Sequence, residues 1–333
     1  MARTQNSLSI NRTKGNENPK ERSSKSPDMN PKPISPVSGG EPSGSGLPPP
    51  SSPETDAAAE AVVSDLVTSL GRRRLYREVT LALRSGLREA RADFSFLRTR
   101  GLRGLIKFLQ SVACSDESVR LFRHSQTIPE LQVIPVLFQN TLSSTKDNPS
   151  VTLDHVFGVD PVKINSPATD NEVSLALRVL EGCCLMYSRC ASQAQKFKAI
   201  KVLVNILSIR GELAQAACLD ALISLMLDSS INQKDFDECH GLERVADILK
   251  DEDVDENIRL KCGEFLLILI GHVHGKENSP IAHIHEDIKQ LFGEKCASLI
   301  WAASQFGSTL DPDQRQTALQ IQARRVLESL EIQ

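Results

Sequence analysis

The chain has 333 residues and a formal net charge of −3, so overall charge gives no argument for nucleic acid or a membrane surface as partner. Only 4% of the residues are aromatic, so a core must be built from Leu, Ile, Val and Ala, a mix that suits helices packed on helices. The longest apolar run, Phe265–Ile270, is far short of the roughly 18 residues of a spanning helix, which argues against a membrane segment.

Residues 1–54 are rich in Pro, Ser, Asn, Gly and Lys and offer too little apolar surface to offset the entropy of ordering, so this tail is expected to stay disordered. Ser26, Ser35 and Ser52 each precede a proline and are minimal sites for a proline-directed kinase. The first 15 residues are basic and faintly like a transit peptide, but Glu17, Glu21 and the prolines argue against one. Helical periodicity starts at Thr55-Asp56, with Val62, Val63, Leu66, Val67 and Leu70 on one face and Gly71 as the expected stop. Further helices are predicted over about 73–92, 99–114, 116–126, 129–144, 171–190, 198–209, 212–228, 241–250, 255–272, 286–306 and 311–331. The organisation read from this is an N-terminal helical block over 55–145, an irregular connection over 146–169 and helical repeats over 170–331, closed by a capping helix.

The repeat is visible as an ungapped alignment of Leu180-Glu181 through Phe197 with Leu219-Asp220 through Phe236. Each stretch leads into a short amphipathic helix, Ala199–Leu207 or Gly241–Leu249, and a third unit opens at Leu260-Lys261-Cys262. A step of about 40 residues is that of armadillo and HEAT repeats. The expected fold is therefore all-α, an armadillo/HEAT-like and irregular α-solenoid in which stacked helix groups bury each other's apolar faces.

Candidate sites follow from charge. Eleven basic residues lie between Gly71 and Lys107, and Arg77, Arg84, Arg88 and Arg91, with Arg73 before them, recur at spacings that share a helical face. An arginine face grips carboxylates or phosphates with paired hydrogen bonds, which points to an acidic or phosphorylated protein. Nucleic acid is the alternative, disfavoured because no aromatic residues interleave with these arginines to stack bases. Asp251, Glu252 and Asp253 form an acidic zone that either meets a partner, pairs with the basic zone or serves a helix N-terminus. His272-x-His274 and His283-x-His285 suggest a metal, but nothing fixes their geometry, and a polar loop is the better reading; no metal or cofactor is assigned. No P-loop, Gly-x-Ser-x-Gly or dinucleotide-binding glycine pattern is present, so no catalytic residue is assigned either. The eight cysteines form no C-x-x-C pair and read as small buried hydrophobes of a reducing compartment.

One stretch carries a resemblance. Leu219, Leu227-Asp228, Asn232, Phe236, Gly241-Leu242, Ile248-Leu249-Lys250, Arg259 and Lys261 through Leu266 resemble the cell-division-control family of the fungal septation initiation network. That family consists of armadillo-like adaptors and is distinct from the phosphatase sharing its historical name. The resemblance implies a non-catalytic scaffold that binds a Ste20-like, germinal-centre-type protein kinase in cytokinesis signalling. It implies a cytoplasmic or nuclear location, or one at division structures, and no small-molecule substrate.

Overall fold

Gly71 does not end a helix. In the computed structural model, which describes residues 53–143, 167–227, 229–273, 280–281, 283–305 and 312–331, one helix, α1 (Pro53–Ala90), runs straight through it. A helical glycine costs about 1 kcal/mol relative to alanine, which the strong helix formers on either side outweigh. The chain divides after Asp56 into two units, the second of which, Ala57–Gln333, is the helical body. The tail serines Ser26, Ser35 and Ser52 and most of the 146–169 connection lie outside the described residues.

After α1 come α2 (Ser95–Ala113) and α3 (Asp116–Ser125), the latter capped by Ser115, whose side chain accepts from the Ser118 N–H. The helix predicted over 129–144 is broken into a 3₁₀ turn at Pro129–Leu131, α4 (Val133–Val136) and a π turn at Leu137–Thr141. Pro129 and Pro135 lack the N–H groups that a regular helix would use there. The repeats then follow as α5 (Asp170–Met186), α6 (Arg189–Gln195), α7 (Ala199–Ile209), α8 (Glu212–Met226), α9 (Ser230–Glu238) and α10 (Gly241–Lys250). The chain closes with α11 (Glu256–Val273), α12 (Ile284–Ser304) and α13 (Pro312–Glu331). No strand occurs among the described residues.

Two corrections concern helix ends. The predicted 171–190 helix stops at Met186, where Tyr187 turns extended, and resumes as α6. Helix α9 was not predicted; its Ser229 cap and the side chains of Asn232 and Gln233, which donate to the Leu225 and Met226 carbonyls, close α8 and open α9 in one turn.

The repeat is written in the backbone as well as in the sequence. Among the described residues, φ is positive only at Lys198 (54°), His240 (55°) and Gly293 (79°). Lys198 and His240 stand immediately before α7 and α10, and Gly293 breaks α12 at the matching place in the third repeat. Each repeat thus has a long helix, a short one, a left-handed residue and a third helix. The long helices start at Asp170, Glu212 and Glu256, about 40 residues apart.

These long helices form a ladder: α2 packs on α5, α5 on α8, α8 on α11 and α11 on α13. A second layer, including α7, α10 and α12, covers the ladder, and the core between them is aliphatic, with Leu177, Leu180, Leu222, Phe236, Phe265 and Phe292 fully or almost fully buried. At the N-terminal end α1 meets α2 at a glycine notch. A Cβ on Gly101 would lie 2.5 Å from the Ala90 nitrogen, and one on Gly86 would lie 2.7 Å from Leu105 Cδ2, so the two backbones approach as only glycine allows.

Candidate protein-binding surfaces

The structure sorts the eleven basic residues of the 71–107 segment by what they touch. Arg98 is buried and serves the fold: Nε donates to Glu172 Oε1 at 3.0 Å and Nη1 to the Asp93 carbonyl at 2.8 Å. Arg100 grips Glu89 with two bonds of 2.8 and 2.9 Å, and this hydrogen bonding holds the Glu89 carboxyl below its ordinary range. Arg74 pairs with Glu78 at 2.9 Å, and Arg72 lies 3.6 Å from Glu117. Arg73, Arg77, Arg84, Arg88, Arg91, Arg103 and Lys107 are exposed, with no ion pair among the described residues. The five arginines expected to form a binding face are all in this last group. At 100° per residue they fall within an arc of about 60° on α1.

Sequence reasoning found no aromatics among these arginines, and here the structure corrects it. Phe94, the N-cap of α2, and Phe96 in its first turn follow Arg91, are exposed by 59% and 68%, and have ring centroids 6.1 Å apart. Exposed aromatics beside arginines have the composition of interface hot spots.

The acidic zone lies elsewhere. Asp251, Glu252 and Asp253 are exposed on the turn between α10 and α11, where Asp251 Oδ1 accepts from the Asp253 N–H at 3.0 Å. The basic and acidic zones do not pair with each other among the described residues. Instead Asp255 accepts from the Asn257 N–H at the start of α11, and the adjoining Glu256 takes Arg324 of α13 at 2.7 Å.

A second surface, missed from the sequence, crosses the ladder. Glu181 on α5, Asp220 on α8 and Lys261 on α11 each follow the aligned leucine of its repeat, Leu180, Leu219 or Leu260. Stacking brings them into one charged group: Lys261 Nζ lies 2.9 Å from Asp220 Oδ1 and 3.2 Å from Glu264 Oε2. Burial, with the Asp220 charge adding to it, raises the Glu181 carboxyl above its ordinary range. Burial opposes the charge on Lys261, but the hydrogen bond and charge of Asp220, with those of Glu264, raise its pKa overall. The polar residue one place after each repeat leucine was the available signal. Beside this group an open groove of about 700 Å³ runs between α11 and α13, lined in part by Lys261, Glu264, Gln320, Arg324 and Glu328.

Among the described residues His272, His283 and His285 form no common group. His274 lies outside the described residues, and the His285 ring packs on Trp301 at 4.7 Å between centroids. His283 Nε2 lies 3.4 Å from both Asp237 Oδ1 and Asp287 Oδ2, so this histidine ties α9 to α12. The ligand atoms of these three residues come within 4.8 Å of one another, all on side chains with substantial solvent access. Cys183, Cys184, Cys190, Cys218, Cys262 and Cys296 are free and buried, and burial pushes their thiols up, to about 12 for Cys190 and Cys262. They act as packing groups and not as thiolates. No described helix is long and apolar enough to cross a membrane.

Comparison with known families places the repeats. Residues 151–294 match the family model described as Cell division control protein 14, SIN component. The match covers less than half of the chain and makes this region similar to that family. The matched region carries Glu181, Asp220, Lys261 and Glu264, whereas the arginine strip and Phe94–Phe96 precede it. The family named is the division-control component and not the phosphatase of similar name. No curated protein matches the chain. Two solved structures, both titled as engineered proteins of a structural genomics consortium, are similar at 15% and 12% identity. Each covers 75% of this chain, together with 99% and 96% of its own, at TM-scores of 0.40 and 0.37, too low to carry a statement about fold.

Proposed function

We propose that the chain is a non-enzymatic scaffold in cell-division signalling, holding a protein partner on its helical body. The observation that carries this reading is the pairing of Phe94 and Phe96 with the free arginine strip of Arg73, Arg77, Arg84, Arg88 and Arg91. Exposed aromatic anchors that follow a strip of guanidinium groups along the chain suit a protein surface bearing carboxylates or phosphates. A Ste20-like kinase is the partner that the SIN-component resemblance suggests, with cytokinesis as the setting and division structures as one location. Asp251, Glu252 and Asp253 offer a contact of opposite sign, and Ser26, Ser35 and Ser52 make the tail a regulatory arm.

The test is affinity purification from dividing cells at physiological salt, with the wild type, a variant lacking residues 1–54, and Arg84→Glu/Arg88→Glu. A Ste20-like kinase retained by the first two and lost from the third supports the reading. Equal retention by all three moves the contact away from the strip, and absence of any kinase sinks the kinase assignment. The exposed phenylalanines also give the nucleic-acid alternative a stacking platform. Its mark is recovery that nuclease treatment abolishes and that falls steeply between low and physiological salt.

A further inference from the structure

The first half of α1 carries a feature that neither the fold nor the partner reading uses. Val62, Val63, Leu66, Val67 and Leu70 are all exposed, by 55 to 69%. They are not a continuation of the core-facing side of the helix. That side, set by Val79, Leu83, Leu87 and Ala90, leads back along the helix to Ala61, Asp65, Thr68 and Arg72. The apolar stripe is rotated from it by roughly 140° and is collinear with the arginine strip. Along one face, therefore, α1 is apolar up to Leu70 and basic from Arg73 on.

The spacing is that of a coiled-coil seam. Ala59, Val63, Leu66, Leu70, Arg73 and Arg77 recur at alternating steps of four and three, with Val67 beside them. We infer that this half of α1 pairs with the same segment of a second copy of the chain, antiparallel, about a two-fold axis near residues 67–69. Charge selects both the occupant and the direction. In the antiparallel register that sets Leu66 against Leu70 of the second copy, Val63 lies under the aliphatic stem of Arg73, whose head reaches solvent. The flanking Glu60 then faces Arg74 of the second copy, twice by symmetry. Both are exposed, and among the described residues Arg74 is held within its own chain by an exposed pair with Glu78. A parallel pair would instead put Arg73 on Arg73 and Arg77 on Arg77 inside the seam. An anionic vesicle would attract the arginines but repel Glu60, which flanks the apolar stripe beside Val67.

A seam of about three heptads buries less than the ~800 Å² per partner of a standard interface, so the dimer is weak and concentration-dependent. The seam takes Arg73 and Arg77 from the arginine strip and leaves Arg84 to Phe96 outside it; the kinase reading is tested at Arg84 and Arg88 and the dimer at Leu66 and Leu70, so failure of one is distinguishable from failure of the other. The test is sedimentation equilibrium of the full chain across micromolar concentrations, with anionic vesicles as a second binding assay. The expected mass rises from 36.6 kDa toward twice that value with concentration. Leu66→Glu/Leu70→Glu, which alters only exposed positions, is expected to abolish the rise with helicity by circular dichroism unchanged. Glu60→Arg or Arg74→Glu alone should weaken association roughly tenfold, and the two together should restore it, since the cross pair is regenerated with signs exchanged. A monomer at every concentration, a dimer indifferent to Leu66→Glu/Leu70→Glu, or a charge pair without rescue would each overturn the proposal. So would co-sedimentation with vesicles in the absence of self-association.

Discussion

Arg98 Nε and Glu172 Oε1 stand 3.0 Å apart, in a pair where the side chains retain only 7% and 0% of their exposure. This bond joins α2 to α5, the first rung of the ladder to the second, across 74 residues of chain. Glu172 also accepts from the Thr169 N–H at 2.7 Å in a capping box that starts α5. One carboxylate thus both opens a helix and fastens it to its neighbour. Arg98→Ala leaves that carboxylate buried without its cation, and the expected loss of stability is about 3–5 kcal/mol, measured by urea unfolding. Arg98→Ala/Glu172→Ala removes the stranded charge and should lose less than the sum of the single changes.

The same pair sets an acid limit. Burial acts to raise the Glu172 carboxyl, but hydrogen bonds from Thr169 and Arg98 outweigh it and hold the group below its ordinary range. A carboxyl whose folded pKa is lowered contributes stability that is full above its unfolded pKa and lost as pH falls through the folded value. Stability is therefore expected to fall below about pH 4.5, and Glu172→Gln should flatten that fall while lowering stability at pH 7. An unchanged acid limb in the variant would assign the effect to other carboxylates.

Glu181 has the opposite sign. Burial and then Asp220 raise its carboxyl, so its contribution is greatest at low pH and is lost as pH rises through the folded value. Glu181→Gln is expected to raise the melting temperature modestly at pH 7.5 and to change it little at pH 4. A fall at pH 7.5 would show that Lys261 needs this carboxylate.

Lys261 is the cation that three carboxylates share. Lys261→Met keeps the aliphatic stem but leaves Glu264, almost fully buried, facing Asp220 and Glu181 uncompensated. The expected cost is about 1–3 kcal/mol by thermal unfolding, diminishing when Asp220→Asn is added.

Gly101 is the test of how α1 is seated. A methyl group there meets backbone atoms, Ala90 N at 2.5 Å and Gly86 O at 2.8 Å, which cannot turn aside as a side-chain tip can. Gly101→Ala should destabilise by about 1–3 kcal/mol, whereas Gly104→Ala on the same helix, with nothing within 4 Å, should be neutral or stabilising. Equal effects at the two positions would remove the notch as an explanation.

The helices were legible where apolar periodicity runs unbroken, as at α3, α7, α10 and α11, and the repeat step was legible from the aligned Leu180 and Leu219. What failed was local and has physical causes. Gly71 reads as a stop, but no steric or turn constraint acts on it, and its neighbours carry the helix through. The Asn232 and Gln233 bonds that create α9 join a side chain to carbonyls seven residues back, a relation outside any periodic pattern. The arginine strip was legible because all five residues sit on one helix. The Glu181–Asp220–Lys261 group was not, because it exists only after three helices stack. Arg98 reads as one more surface cation, since nothing local reveals that Glu172 will face it.

The ladder has a mechanical consequence. Each long helix leans on the next, and no major seam among the described helices ties α2 directly to α11 or α13. A pull applied at α13 and resisted at α2 runs along the ladder seam by seam, with the contacts among α7, α10 and α12 sharing it in parallel. The body would then yield at its weakest seam while the other rungs keep their packing, and it would close again when the load is removed.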